Sequence, residues 1–358
     1  MKKPVKIIVV TVLLILALLL LTVGGYFAYV FISYHRLGDM EIGIENAQKT
    51  ALDAGKEYTI LSYNIGFGAY EPDYGFFMDG GEESRARSEE RLQKNLEAIA
   101  SFVAGRGADL CLIQEVDIDS TRTYGVDERP YLTNALSGMT YTFAQNFDSP
   151  YLFYPILSPH GIARSGIMTF SRAEITAAQR VELPIETGVM KLVDLDRCYS
   201  KNYVRTGEGK NLVLYNFHFS AYTSDGKIAN DQLDLVLTDM QKEYEKGNYC
   251  IAGGDFNKDI LGDSSVYFGK ADKEYTWAQP IPEEILSKYQ MDLVAPLDET
   301  HPVPSCRNAD GPYHEGQFVL TIDGFLVSPN VEVKSAQVLD TQFAYSDHNP
   351  VEMVFELK

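Results

Sequence analysis

The stretch Tyr249–Asn257, Tyr-Cys-Ile-Ala-Gly-Gly-Asp-Phe-Asn, opens as a short apolar strand, breaks at Gly253–Gly254 and presents Asp255 and Asn257. Two glycines let the backbone turn sharply and approach a ligand closely. A carboxylate and an amide two residues apart in extended backbone can point to the same side. That pairing suits a hard cation beside a phosphate oxygen. An ordinary strand-to-turn junction also uses Gly, Asp and Asn, so the stretch takes its meaning from the other strand ends of the chain.

Those ends finish in the same chemistry. Tyr58–Asn64 reads as a strand that ends at Asn64, before a glycine-bearing turn. Leu110–Gln114 is an apolar strand running directly into Glu115, where a carboxylate is costly unless solvated, paired or bound to metal. Leu212–Phe219 carries His218 near its end, just before Ser220; a lone histidine in a strand is more often a packed core residue than a catalyst. Leu320–Val327 carries Asp323 in mid-strand, and such a buried aspartate needs a partner. Asp347 and His348 stand at the mouth of the last strand, Val351–Leu357.

Thr140–Phe143 and Gly166–Phe170 are shorter strands. Two helices stand out. One places Leu92, Leu96, Ile99 and Val103 on one face and stops at Gly105–Gly107; the other carries Leu233, Val236, Leu237, Met240 and Tyr244 and stops at Gly247. A regular strand–helix alternation would predict a doubly wound parallel sheet. Only two helices fall among these strands, so the pattern predicts two mixed sheets packed face to face, with helices outside and the site along one end.

The chain has 358 residues and a net charge of −19. Such a charge repels polyanions and speaks against unspecific nucleic-acid binding. It fits an acidic, cation-loaded cleft, or simply a soluble surface. Four cysteines are too few for a disulfide framework. Cys111 and Cys250 read as buried thiols, Cys198 and Cys306 as a pair able to bond in an oxidising compartment. No zinc spacing is present.

Residues 1–6 are a basic start, with Lys2, Lys3 and Lys6. Residues 7–34 form an uncharged run, apolar on every face and long enough for a bilayer core. Tyr26, Phe27, Tyr29, Phe31 and Tyr34 suit the far interface. A cleavable secretory signal starts the same way, but its apolar region is usually shorter and ends in small residues. The run therefore reads as an uncleaved anchor. The lysines before it outweigh Arg36 after it, which predicts a cytoplasmic N-terminus and an extracytoplasmic remainder. Residues 35–57 read as a tether with a short helical piece around Ile42–Ala54, and 58–358 as one domain, expected to be monomeric. The loop Asn146–Gly161, rich in Phe, Tyr, Leu and Ile, reads first as a core-covering loop, since long ordered loops bury their own side chains, with a rim touching apolar substrate or lipid as the alternative.

Together the strand ends supply Asn64, Glu115, His218, Asp255, Asn257, Asp323, Asp347 and His348. Carboxylates and amides without cysteine suit Mg²⁺, with Mn²⁺ or Ca²⁺ as alternatives. Histidines suit proton transfer near neutral pH. The combination suits hydrolysis of a phosphoester, whose oxygens gather charge.

The order Asn64, Gln114-Glu115, His218, Gly254-Asp255-Phe256-Asn257, Ile322-Asp323, Ser346-Asp347-His348 resembles the endonuclease/exonuclease/phosphatase superfamily over residues 58–358. The text around His218 to Asn257 is most similar to bacterial membrane-attached members. The resemblance implies a four-layer α/β/β/α sandwich and a divalent-metal hydrolase. It implies Glu115 as principal metal ligand, with Asn64 beside it and Asp347 in the metal shell. Asp255 and Asn257 then orient water and hold phosphate. His348 resembles the catalytic histidine, partnered by Asp323, and His218 the histidine that stabilises the transition state or protonates the leaving oxygen. Whether Asp255 or His348 takes the water proton stays open.

Three departures stand out. Abasic-site endonucleases usually carry an aspartate where this chain has Gly66, and a tyrosine where it has His218. Gly324 follows Asp323 where many relatives have a larger residue, which predicts a more open pocket. No basic stripe for a nucleic-acid backbone is present. The expected function is a membrane-anchored, extracytoplasmic phosphodiesterase or phosphatase acting on a lipid headgroup or small phosphoester. A surface nuclease and a catalytically silent binding domain are the alternatives. The loops Asn146–Gly161 and Ser264–Glu284 are expected to set ester specificity.

Overall fold

The computed structural model describes residues 3–188, 191, 195–207, 209–221, 226–269 and 277–358. In chain order the strands are β1 (Met40–Glu41), β2 (Ile44–Glu45), β3 (Glu57–Asn64), β4 (Leu110–Asp117), β5 (Thr140–Asp148), β6 (Arg164–Ser171), β7 (Ile175–Glu182) and β8 (Cys198–Arg205). They continue as β9 (Asn211–His218), β10 (Tyr249–Asp255), β11 (Asp292–Val294), β12 (Cys306–Arg307), β13 (Val319–Leu320), β14 (Asp323–Val327), β15 (Val331–Val338) and β16 (Val351–Leu357). The long helices are α1 (Lys3–Ser33), α2 (Glu89–Arg106) and α4 (Lys227–Glu245), with the short α3 (Arg129–Ala135) before β5.

Two mixed seven-stranded sheets result, in the orders β1-β7-β8-β9-β10-β14-β11 and β15-β16-β3-β4-β6-β5-β2. Their facing sides share one apolar core that includes Ile60, Leu112, Leu214, Ile251, Phe325 and Met353. Each such side chain contributes roughly 1.5–3 kcal/mol on burial. The alternation of side chains along a strand leaves the opposite face of each sheet for a helix. Helix α2 covers one outer face with Leu92, Leu96, Ile99 and Val103. Helix α4 covers the other with Leu233, Val236, Leu237 and Met240. Ser88 caps α2 by accepting the Arg91 N–H at 3.1 Å, and Gly107 at φ +67° ends it. The fold is an α/β/β/α sandwich.

Polar pairs cross the apolar interior. Gln114 Nε2 donates to Asn216 Oδ1 at 2.8 Å and Thr142 Oγ1 to Asn202 Oδ1 at 2.8 Å. Gln114 precedes Glu115 but points the other way along the pleat, so it ties the sheets together and leaves the chemistry to its neighbour.

The segment 35–57 is neither a helix nor a loose tether. Strand β1 pairs with β7 at the edge of one sheet, and β2 pairs with β5 at the edge of the other. The reason is local sequence: Met40–Glu41 and Ile44–Glu45 flank Gly43 and cannot bury a continuous helical face. Arg180, wholly buried, donates to the Leu37, Gly38, Gln145 and Asp196 carbonyls and fixes the entry.

Strands β7 and β8 carry charge that the pattern of apolar residues does not reveal. Lys201 in β8 bonds Asp239 at 2.8 Å and Glu243 at 2.9 Å on α4. Burial alone would raise the Glu243 carboxyl, but hydrogen bonds from Lys246, Lys201 and Asn248 overcome it and pull the pKa down to about 2. A depressed carboxylate stabilises the fold above its unfolded value of about 4.3 and loses that contribution as pH falls through the folded value. That contribution is therefore lost between about pH 4.3 and pH 2. Denaturant midpoints measured against pH check this, since Glu243→Gln should be less stable at pH 7 and flatter across that acid window.

Among the described residues, α1 is the one helix long and apolar enough to cross a membrane. Its 31 residues span about 46 Å. All four cysteines are free and buried.

Candidate active site

Strand register assembles one side of the site. In β10, Asp255 lies opposite His218 of the parallel neighbour β9 and opposite Asp323 of the antiparallel neighbour β14. Three side chains far apart in sequence therefore form one row. Gly254 permits the close approach: at φ +148°, a Cβ there would lie 1.9 Å from the Phe217 carbonyl oxygen. Asp323 opens β14, and a break after Leu320 separates it from β13, so it is not in mid-strand. The break puts its carboxylate at the same end of the sandwich as Asp255.

The other sheet supplies Asn64 and Glu115. Strand β4 continues to Asp117, and its register with β6 shifts between Ile113 and Val116. Glu115 sits in this bulge at φ +58°, a left-handed conformation that re-aims a side chain at some cost in strain. Asn64, buried at the end of β3, donates through Nδ2 to Glu115 Oε1 at 3.1 Å and to Asp255 Oδ2 at 3.2 Å. This amide bridges the two sheets. Its Oδ1 accepts the Gly66 N–H at 3.0 Å. Gly66 has no room for a side chain, since a Cβ would lie 2.7 Å from Tyr70 and 3.0 Å from Asp347 Oδ1.

The loop before β16 brings in Asp347 and His348. Ser346 Oγ donates to the Asn64 carbonyl at 2.8 Å and locks this loop to β3. Asn95 of α2 donates to the Gly68 and Tyr345 carbonyls, at 2.9 and 2.8 Å, and holds both site loops. His348 Nδ1 lies 2.8 Å from Asp323 Oδ2. Ser305 Oγ donates to the same oxygen at 2.7 Å. Cys306 Sγ rests 3.7 Å from His348 Nε2, so this thiol lines the site as a buried neighbour of the histidine.

The electrostatics separate the titrating groups. Burial lowers the basicity of His348, but the Asp323 carboxylate outweighs it and holds the imidazole protonated well above the usual histidine range. Burial, with Arg197 and His348 nearby, pushes His218 well below that range and keeps it neutral. Its Nε2 is 3.3 Å from Asp255 Oδ2; its buried Nδ1 has no hydrogen-bond partner among the described residues. Burial raises the Asp255 carboxyl to about 7, opposed by the His348 charge. Desolvation also raises the Glu115 carboxyl, opposed by the charge of Arg122, which Asp117 holds in a bidentate pair at 2.8 Å.

Asn257, at φ +48°, is fully engaged. Its Nδ2 donates to the Phe219 carbonyl at 2.9 Å, its N–H to Asp255 Oδ1 at 2.8 Å, and its Oδ1 accepts Trp277 Nε1–H at 3.1 Å. The structure thus gathers Asn64, Glu115, His218, Asp255, Asn257, Asp323, Asp347 and His348 at one end of the sandwich, and all but Asn64 and Asp323 line a single cavity of about 860 Å³. Gly324 leaves no extra room there, since a Cβ would lie 2.6 Å from Ile260 and 2.8 Å from the Val294 carbonyl. Arg122, Arg197, Trp277 and Ser305 join the site without any sequence signal; Arg122 is set by the nearby Asp117, and the other three are revealed only by partners about twenty residues away. Of the Ser264–Glu284 loop, residues 270–276 lie outside the described residues, as do 222–225 after His218.

The model of the Endonuclease/Exonuclease/phosphatase family matches residues 61–348. The chain belongs to that family. No curated protein matches it. Solved structures share the fold at low identity. An endonuclease/exonuclease/phosphatase from Beutenbergia cavernae DSM 12333 is 16% identical, with a TM-score of 0.55, over 84% of this chain and 72% of that one. The human Nocturnin catalytic domain with bound sulfate anion is 17% identical, with a TM-score of 0.53, over 88% and 98%. ANGEL2, a 2′,3′-cyclic phosphatase, in complex with adenosine-2′,3′-vanadate, is 15% identical, with a TM-score of 0.55, over 89% and 99%. Members of this family are generally phosphoester hydrolases that use a divalent metal, and the residues of this site fit such a cation. Glu115 is a half-buried carboxylate with no Lys or Arg ion pair among the described residues, and the oxygens around it are carboxylate and amide. Asp255, Asp323 and His348 also bring ligand atoms within 4.8 Å of one another, but Asp323 and His348 are already bonded to each other.

Proposed function

We propose that the chain is a Mg²⁺-dependent phosphoester hydrolase, held to the membrane by α1, with its site outside the cytoplasm. The observation that carries this is the row Asp255, His218 and Asp323 across adjacent strands, with His348 bonded to Asp323 and with Glu115 and Asn64 facing it from the other sheet. Glu115 and Asp347 would hold the cation, with Asn64 beside them. When bound, the metal supplies a positive charge for the phosphoryl oxygens.

The protein groups divide the remaining work. Asp255, with its proton affinity near neutrality, takes the proton of the attacking water. His348, kept cationic by Asp323, faces the charge that gathers on phosphate. His218, neutral, offers an N–H to a phosphoryl oxygen and is a poor source of a full proton for the leaving group. A lipid headgroup or small phosphoester is favoured over nucleic acid, because a net charge of −19 repels polyanions.

The test uses the full chain in nanodiscs with Mg²⁺, Mn²⁺, Ca²⁺ or chelator, and His348→Ala as control. Substrates are a water-soluble aryl phosphodiester, inositol phosphates, phospholipid vesicles and plasmid DNA. Metal-dependent turnover that chelator and His348→Ala both abolish is the expected result. A folded protein that binds Mg²⁺ and turns over none of these substrates would sink the reading; turnover of DNA alone would replace it with the nuclease.

A further inference from the structure

The cleft does not end at the polar row. It runs outward along Phe76, Phe77, Leu152, Phe153 and Tyr154 to Tyr26, which belongs to α1. The apolar helix therefore forms part of the wall of the candidate active site. Tyr26 Oη donates to the Tyr151 carbonyl at 3.1 Å, and the Tyr151 N–H donates to Tyr29 Oη at 3.1 Å. The Tyr26 and Phe153 rings meet edge to face at 4.6 Å. Tyr26 lies seven residues before the end of α1 at Ser33, or about 10 Å below it. The contact is thus made at the level of the apolar span.

The loop that makes this contact is not the core cover that its composition also allows. Its run Tyr151–Ser158 contains no charged residue. Ile156 is 73% exposed and Leu157 fully exposed, with Tyr154 at 64%. Neighbouring large apolar side chains left in water are unusual on a soluble surface and mark a contact surface. The occupant follows from continuity: the loop is bonded to a helix that is itself exposed and apolar along its length, so one solvent serves both.

We propose that residues 151–157 dip into the leaflet that holds α1, and that the cleft takes an amphiphilic lipid phosphoester directly from that leaflet. The headgroup ester reaches Asp255 and Glu115 while the chains lie along the Phe76–Phe153 wall toward the helix. The substrate half of this inference rests on the phosphoesterase reading; the membrane contact stands without it.

Two measurements on the full chain in vesicles of phosphatidylcholine, phosphatidylglycerol and sphingomyelin test it. First, Leu157→Cys is labelled with an environment-sensitive dye, which is selective because the four native thiols are buried. Blue-shifted emission quenched by doxyl-labelled lipid is expected; the spectrum of a dye in water overturns the contact. Second, the double variant Ile156→Asp, Leu157→Asp should lower turnover of vesicle phospholipid at least about tenfold, with turnover of a soluble aryl phosphodiester within about twofold of wild type. Unchanged vesicle turnover in the variant overturns the inference, as does a wild type that hydrolyses only the soluble ester. A wild type inert toward both esters fails the phosphoesterase reading, and the dye then still decides the membrane contact.

Discussion

Glu115→Gln is expected to lower metal-dependent turnover roughly a thousandfold, while the metal-free protein becomes more heat-stable at pH 7. The two effects share one cause. Glu115 sits half-buried in the β4 bulge, and desolvation raises its proton affinity against the opposing charge of Arg122, which is paired to Asp117. A carboxyl raised by folding penalises the native state once pH exceeds the unfolded value, and that penalty grows until pH passes the folded value. Glutamine keeps the shape and the Asn64 contact and removes the charge. Thermal unfolding with and without Mg²⁺ reads both sides. Wild type should gain stability with Mg²⁺, and the variant should gain little. A full Mg²⁺-induced shift in Glu115→Gln would place the cation elsewhere, at Asp255, Asp323 and His348, and would overturn the assignment of Glu115.

Asp323→Asn should cost a hundredfold or more in turnover, an order-of-magnitude expectation for a lost proton-handling group, with the fold intact. The carboxylate accepts from Ser305 and faces His348 at 2.8 Å, and an amide of the same shape can keep the Ser305 bond. It cannot hold a cationic imidazole. The wild-type His348 proton should persist above the ordinary histidine range, because the raised value comes from Asp323 acting against burial. In the variant, burial acts without that opposition and the imidazole loses its proton at lower pH. NMR titration of the His348 ring follows this directly. Wild-type turnover in a folded Asp323→Asn protein would remove the pair from the mechanism. An unmoved ring titration would show that Asp323 only positions the loop.

Much of this was legible because polar residues at strand ends stand out against apolar strands. Asn64, His218 and Asp255 each close a strand, and the sheets are built from strands that the pattern exposes. Helices α2 and α4 were equally plain from their buried faces. Strands β7 and β8 were not, because Arg180, Lys201 and Asn202 are buried in them and satisfied by partners elsewhere in the chain. The same holds inside the site. Ser305, Trp277 and Arg197 acquire roles only once distant loops meet. Cys306 looked available for a disulfide and instead lies against His348. The bulge at Glu115 depends on register with β6, which no single strand displays.

The placement of β1 and β2 has a mechanical consequence. Only residues 34–39 separate the end of α1 from a segment stitched to both sheets at once. His35 Nε2 also meets Asp148 at 2.9 Å, and Arg36 reaches Glu182 and the Leu183 carbonyl. Such a mooring transmits torque: the domain cannot swivel freely as it would on a flexible leash. In the anchored reading its mouth stays at one height and one heading, so it meets its substrate by lateral diffusion in two dimensions. Turnover would then follow the surface fraction of substrate in the leaflet and not its bulk concentration. A soluble version cut after residue 50 would lose both edge strands along with the mooring.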